Sequence, residues 1–235
     1  MFGTYDIPVE FQEDEISISL HRDQDLLIYH RDCLGDACDK RMFSKAEKIL
    51  MIPIEPVTQP KAITPYLFIK LDKTLLLEPE STARIYVTFP LEIGVFASHG
   101  GNPQFIDGFT LTKKKFTLYG EPSMGRICRY WASGVHTTIP DIDGLREGIM
   151  EINIQNTDTD WVEVKKAVFN AYGMKIFYGQ GMVSMKSTVK LRPGGMAETS
   201  FESSPIKEGA TKSVEKYALK RISVATGKFV MEHGL

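Results

Sequence analysis

The chain has 235 residues, of which 43% are apolar and 25% charged, with a net charge of −2. That composition excludes global disorder, and the length suits one large domain or two small ones. No purely apolar run exceeds Ile49–Ile54, which itself contains Pro53, and Met1–Asp6 lacks the basic and apolar regions of a signal peptide, so neither a spanning helix nor secretion is expected.

Period-two alternation is the strongest local pattern. Ile16, Ile18 and Leu20 alternate with serines. Ala83, Ile85, Val87 and Phe89 repeat the pattern, as do Met150, Ile152 and Ile154, and then Val183, Met185, Val189 and Leu191. Each reads as a strand with one buried face. Further strands are expected at Leu26–His30, Tyr66–Leu71, Thr74–Leu77, Phe116–Tyr119, Ile127–Trp131 and Trp161–Phe169. Turn chemistry separates them at Pro79-Glu80-Ser81, Gly100-Gly101-Asn102-Pro103, Gly120-Glu121-Pro122, Asp141–Gly144 and Pro193-Gly194-Gly195. Ser44–Leu50 suits one or two helical turns. The end of the chain suits either a helix through Val214, Tyr217, Ala218 and Ile222 or a hairpin through Arg221–Val224 and Phe229–Met231. Residues 194–213, rich in Gly, Ser, Thr, Glu and Lys, read as a long mobile loop.

These features predict an all-β fold of two antiparallel β-sandwich-like units with few short helices. Charge places the boundary near Lys113. Residues 1–112 carry 10 Lys/Arg against 17 Asp/Glu, and residues 113–235 carry 18 against 13, giving −7 and +5. An acidic unit at 1–112 and a basic one at 113–235 favour self-association or a protein partner over nucleic acid, whose binders carry a larger basic excess. Cys33, Cys38 and Cys128 are too few and too odd in number for a disulfide framework, which suits a reducing cytoplasm.

Two clusters carry candidate chemistry. His30, Cys33 and Cys38 offer imidazole and thiolate ligands for zinc, with His21 or Cys128 as a fourth, set against a polar loop with two reduced thiols. Lys113, Lys114, Lys115, Arg126, Arg129 and Tyr130 combine cations with aromatics, which can grip phosphates and stack on bases or anchor a protein partner, set against a charged wet strand face. Three weaker features read as structure. Asn156-Thr157-Asp158-Thr159-Asp160 has alternating oxygens but Trp161 where a calcium loop needs glycine, so it reads as a turn. His99 and His136 lack a nucleophile motif, and Gly179-Gln180-Gly181 lacks the rest of a phosphate loop.

The run Phe105-Ile106-Asp107-Gly108-Phe109-Thr110-Leu111, then Lys115–Pro122, then Gly125–Tyr130, together with Asn156 ending a strand and the Met-Phe-Gly start, resembles the archaeal DUF432 family of uncharacterised proteins. The resemblance covers most of the chain, and the residues after Gly195 fit it least. It implies an archaeal, cytoplasmic protein and assigns no catalytic residue.

The expected function is therefore a non-enzymatic binding or assembly module without a cofactor. One alternative is a zinc protein or metal-dependent hydrolase built on His30, Cys33 and Cys38. Another is a binder of anionic polymer through the basic half. No membrane partner is expected.

Overall fold

The computed structural model describes residues 1–13, 15–33, 36–57, 63–215 and 228–235, with the backbone alone at 36–40 and 102. The fold is all-β. In chain order the strands are β1 (Gly3–Asp6), β2 (Val9–Glu13), β3 (Ile16–Asp23), β4 (Leu26–Cys33), β5 (Asp36–Phe43), β6 (Lys48–Ile54), β7 (Tyr66–Leu77), β8 (Thr82–Pro90), β9 (Glu92–His99) and β10 (Asn102–Phe109). They continue as β11 (Phe116–Tyr119), β12 (Arg126–Ser133), β13 (Glu147–Asn156), β14 (Val162–Asn170), β15 (Phe177–Gly179), β16 (Met182–Arg192), β17 (Met196–Glu202), β18 (Thr211–Lys212) and β19 (Phe229–Met231). A 3-10 turn at Ala171–Gly173 is capped by the Asn170 side chain, which accepts from Tyr172 N. Among the described residues no helix is long and apolar enough to cross a membrane.

The chain divides into two compact units, Met1–Ile52 with Ile93–Gly108, and Pro53–Glu92 with Phe109–Leu235. The chain crosses between them after Ile52, Glu92 and Gly108, so neither unit is one continuous stretch. The charge contrast follows this division. The first unit holds 6 Lys/Arg against 12 Asp/Glu (−6) and the second 22 against 18 (+4).

The first unit contains a sheet of order β1-β6-β9-β10 and a sheet of order β2-β3-β4-β5. Ile16, Ile18 and Leu20 of β3 are buried, as their alternation requires. One buried polar cluster ties the two sheets together. Tyr29 and Arg31 of β4 both donate to Asp107 Oδ2 of β10, at 2.9 and 2.6 Å, and the backbone N–H of Gly108 donates to Asp107 Oδ1 at 2.8 Å. Burial beside this carboxylate pushes the Tyr29 phenol far above its ordinary range. Burial, the largest single effect, would lower Arg31, but the hydrogen bonds and charges of Asp107 and Cys33 together outweigh it and raise it.

The second unit contains a sheet of order β11-β12-β7-β14 and a larger one of order β18-β15-β16-β13-β8, extended by β17 and β19. Two pairs, β12–β7 and β13–β16, are parallel, a departure from the expected antiparallel sheets. Trp131 Nε1 donates to Thr88 Oγ1 at 3.0 Å and Thr88 N donates to Ser133 Oγ at 2.7 Å, joining β12 to β8. The outer edge of β14 is closed by side chains. Val168 N donates to Met231 Sδ, and Val168 O accepts from Thr199 Oγ1 at 2.7 Å, which satisfies groups that an open edge would expose.

Three expectations need correction. Ser44–Leu50 is not helical; the chain bends and enters β6, whose Tyr5↔Ile49 pairing to β1 supplies the backbone bonds. Residues 194–213 are not one loop, because Met196–Glu202 forms β17 against β16. Its inward residues are Ala197 and Thr199, too small and polar to register as a hydrophobic face. At the end of the chain Phe229–Met231 is a strand, and the alternative readings of 216–227 fall outside the described residues.

Removing one partner of a buried ion pair strands the other charge and costs about 3–5 kcal/mol, whereas replacing both by apolar groups costs far less. Asp107→Ala is therefore expected to lower stability by about that amount in urea unfolding. The double variant Arg31→Met/Asp107→Leu is expected to lose less than Asp107→Ala alone.

Candidate functional site

The sheet β11-β12-β7-β14 has two faces of different chemistry. Directly paired residues share a face. The pairings Tyr119↔Arg126, Tyr130↔Phe68, Val168↔Phe68 and Asn170↔Tyr66 therefore place Tyr66, Phe68, Tyr119, Arg126 and Tyr130 together. Lys166, paired with Lys70, joins them just beyond an irregularity between Val164 and Lys166 in the β14–β7 ladder. Leu67, Ile69, Ala167 and Phe169 occupy the opposite, buried face.

Segment 228–235 crosses this aromatic face. The Tyr119 hydroxyl accepts from His233 N at 3.0 Å and donates to Gly234 O at 3.2 Å. The Phe229 ring lies 5.0 Å from Tyr66 and 6.3 Å from Tyr119. Arg126 stacks over both Tyr66 and Phe229, at 5.1 and 5.7 Å, and donates to the Tyr66 hydroxyl at 2.9 Å. Phe68 stacks on Tyr130 at 5.9 Å and meets Tyr119 edge-on at 6.3 Å.

Beside the segment opens a cleft of about 450 Å³ lined by Phe68, Leu118, Tyr119, Gly120, Glu121, Lys166 and His233. The size falls within the range of small-ligand sites. The Lys166 ammonium lies 5.6 Å over the Tyr119 ring, and the His233 imidazole meets that ring edge-on at 5.5 Å. Among the described residues no ion pair involves Lys166. Gly120 has φ +102°, and a Cβ there would come within 2.6 Å of the His233 ring, so glycine both makes the turn and leaves room for the imidazole. Burial raises the Tyr119 phenol, so the hydroxyl keeps its proton and its bond to Gly234.

The expected cation–aromatic set is only partly brought together. Arg126 and Tyr130 lie on the aromatic face. Lys113 and Lys115 are exposed and Lys114 is half-buried, all ahead of β11. Arg129 is not a surface cation. It is 1% exposed on the opposite face, its Nε and Nη1 make no hydrogen bond among the described residues, and its guanidinium lies 5.9 Å over Phe116. Burial lowers its pKa, against the opposing pull of the buried Glu92.

Of the zinc candidates, His30 and Cys33 are not brought together. The regular β3–β4 ladder places His30 opposite Ser19 and Cys33 opposite Ile16. An odd separation along one strand puts the two side chains on opposite faces. Cys33 is buried, and the Cys38 side chain lies outside the described residues. Among the described residues no group of three His, Cys, Asp or Glu could hold a metal ion.

The remaining candidates hold structure. Asn156 Nδ2 donates to the carbonyls of Leu77, Glu78 and Asp160, and its Oδ1 accepts from Asp158 N, so the segment 156–160 is an asparagine-built turn. His99 pairs with Glu47 at 3.1 Å on the surface. His136 exchanges backbone bonds with Tyr86. Gln180 and Gly181, both at positive φ, form the β15–β16 turn.

The profile of one family, Protein of unknown function (DUF432), matches residues 1–232. The chain belongs to the DUF432 family. No match was found among curated proteins or among solved structures. The DUF432 match takes in every cleft residue except His233, which with Gly234 follows directly after it.

The cleft also has a buried thiol behind it. Cys128, on the aromatic face beside Thr117, donates to Arg126 O at 3.4 Å, and burial pushes its pKa up to about 12. At pH 8 only about one thiol in ten thousand would be ionised. Iodoacetamide at pH 8 is therefore expected to leave Cys128 unmodified in the folded protein and to alkylate it in urea, as read by peptide mass mapping. Equal rates in both states would contradict this environment.

Proposed function

We propose that this protein is a non-enzymatic binding module, and that the cleft beneath segment 228–235 takes a small ligand with an anionic group and a flat apolar body. The observation that carries this reading is the half-buried Lys166 ammonium, set over an aromatic ring at the edge of a ligand-sized cleft with no ion pair among the described residues. A cation held over a ring is partly desolvated and gains most from an incoming anion. Phe68 and Tyr119 supply flat surface for the apolar part.

Binding fits the cleft better than catalysis. Both hydrogen-bonding roles of the Tyr119 hydroxyl are taken up by the backbone of His233 and Gly234. That phenol therefore holds the cleft wall rather than moving a proton. The buried thiols Cys33 and Cys128 suit the reducing cytoplasm that we propose with this reading.

The test is calorimetric titration with nucleoside monophosphates, nucleoside diphosphates and aromatic carboxylates. One of these classes is expected to bind saturably, with affinity reduced at least tenfold by Lys166→Gln and by Phe68→Ala, and unchanged by neutralising Lys113, Lys114 and Lys115. Binding that persists in Lys166→Gln, or no binding by any class, would overturn the reading.

A further inference from the structure

On the side of the β11–β12 hairpin opposite Tyr119, Arg129 is buried, but Ile127 and Phe116 are 51% and 40% exposed. Met124, in the connecting turn, is 81% exposed. Scattered apolar residues are ordinary on a surface, whereas adjacent ones mark a contact site. The chain entering the hairpin is basic, with Lys113 and Lys115 exposed and Lys114 half-buried, against Glu121 in the connecting turn. The first unit carries the converse surface. On β4 and β5, Leu26 and Met42 are 42% and 69% exposed, and the Ile28↔Met42 pairing puts them on one face with Ile28. Asp23, paired with Leu26, and Asp25 stand exposed at the same hairpin end.

We infer that the hairpin face of Phe116, Met124 and Ile127 docks on the Leu26–Met42 face of a second copy of this chain, with Lys113 and Lys115 set against Asp23 and Asp25. A second copy is the occupant that supplies both requirements, an apolar face and the opposite charge, since the units carry −6 and +4. The contact joins different surfaces of the two copies, so it is head-to-tail, closing into a ring or extending into an open chain. Opposite charge sets register and approach, and apolar burial supplies the cohesion.

The test is light scattering coupled to size exclusion across salt concentrations. The full chain at low salt is expected at no less than twice its 26.5 kDa mass, with association weakening as salt rises. Ile127→Glu and Met42→Glu each alter an exposed residue and should each give a monomer whose unfolding midpoint matches the parent. Lys113→Glu/Lys115→Glu and Asp23→Lys/Asp25→Lys should each be monomeric alone and associate when mixed. A monomeric parent at every concentration, assembly undiminished in Ile127→Glu, or mixed charge-reversal variants that stay apart would each overturn the inference. None of these variants alters Lys166, so failure here leaves the cleft reading standing.

Discussion

The second unit depends on one hydroxyl. Tyr119 sits at the end of β11 and reaches residues more than a hundred positions later in the chain, accepting from His233 N and donating to Gly234 O. Among the described residues that pair of bonds is what holds His233 against the ring it meets edge-on, and with it one wall of the cleft. Upstream in the same segment, pairing with β17 carries Phe229 beside Tyr66 and Arg126 and Met231 to the β14 edge.

Strand parity then divides the chemistry of the β11–β12 hairpin. Tyr119 and Arg126 lie on the aromatic face, while Ile127 and Phe116 lie on the other, where Arg129 is buried. Buried charge is used differently in the two units. In the first, Arg31 and Asp107 are paired across two sheets and fix which strands face each other. In the second, Arg129 and Glu92 act on one another from buried positions, and the π-face of Phe116 takes part of the guanidinium charge.

Much of the fold was legible because its strands have one wet face. β3, β8, β13 and β16 alternate as their sequences do, and Phe116–Tyr119 forms a strand with the expected ends. β9 gave no such signal because six consecutive residues from Glu92 to Ala97 are buried, leaving no period to read. The site was less legible than the fold. Arg126 and Tyr130 were visible as a cation–aromatic run, but Lys166, Phe68 and His233 join them only through a parallel β12–β7 pairing and a ladder irregularity, neither of which has a local signature. For the zinc alternative, His30 and Cys33 lie three apart, a spacing that converges on a loop but diverges on a strand, and β4 extends through Cys33.

The central claim is that the Tyr119 hydroxyl holds segment 228–235 in place as the cleft wall. Amide hydrogen exchange at His233, followed by NMR in the parent and in Tyr119→Phe, tests it most directly. The account requires a protected His233 amide in the parent that exchanges at least tenfold faster in Tyr119→Phe, while amides of β13 and β16 keep their protection. A His233 amide that is unprotected in the parent, or equally protected in both proteins, would contradict it.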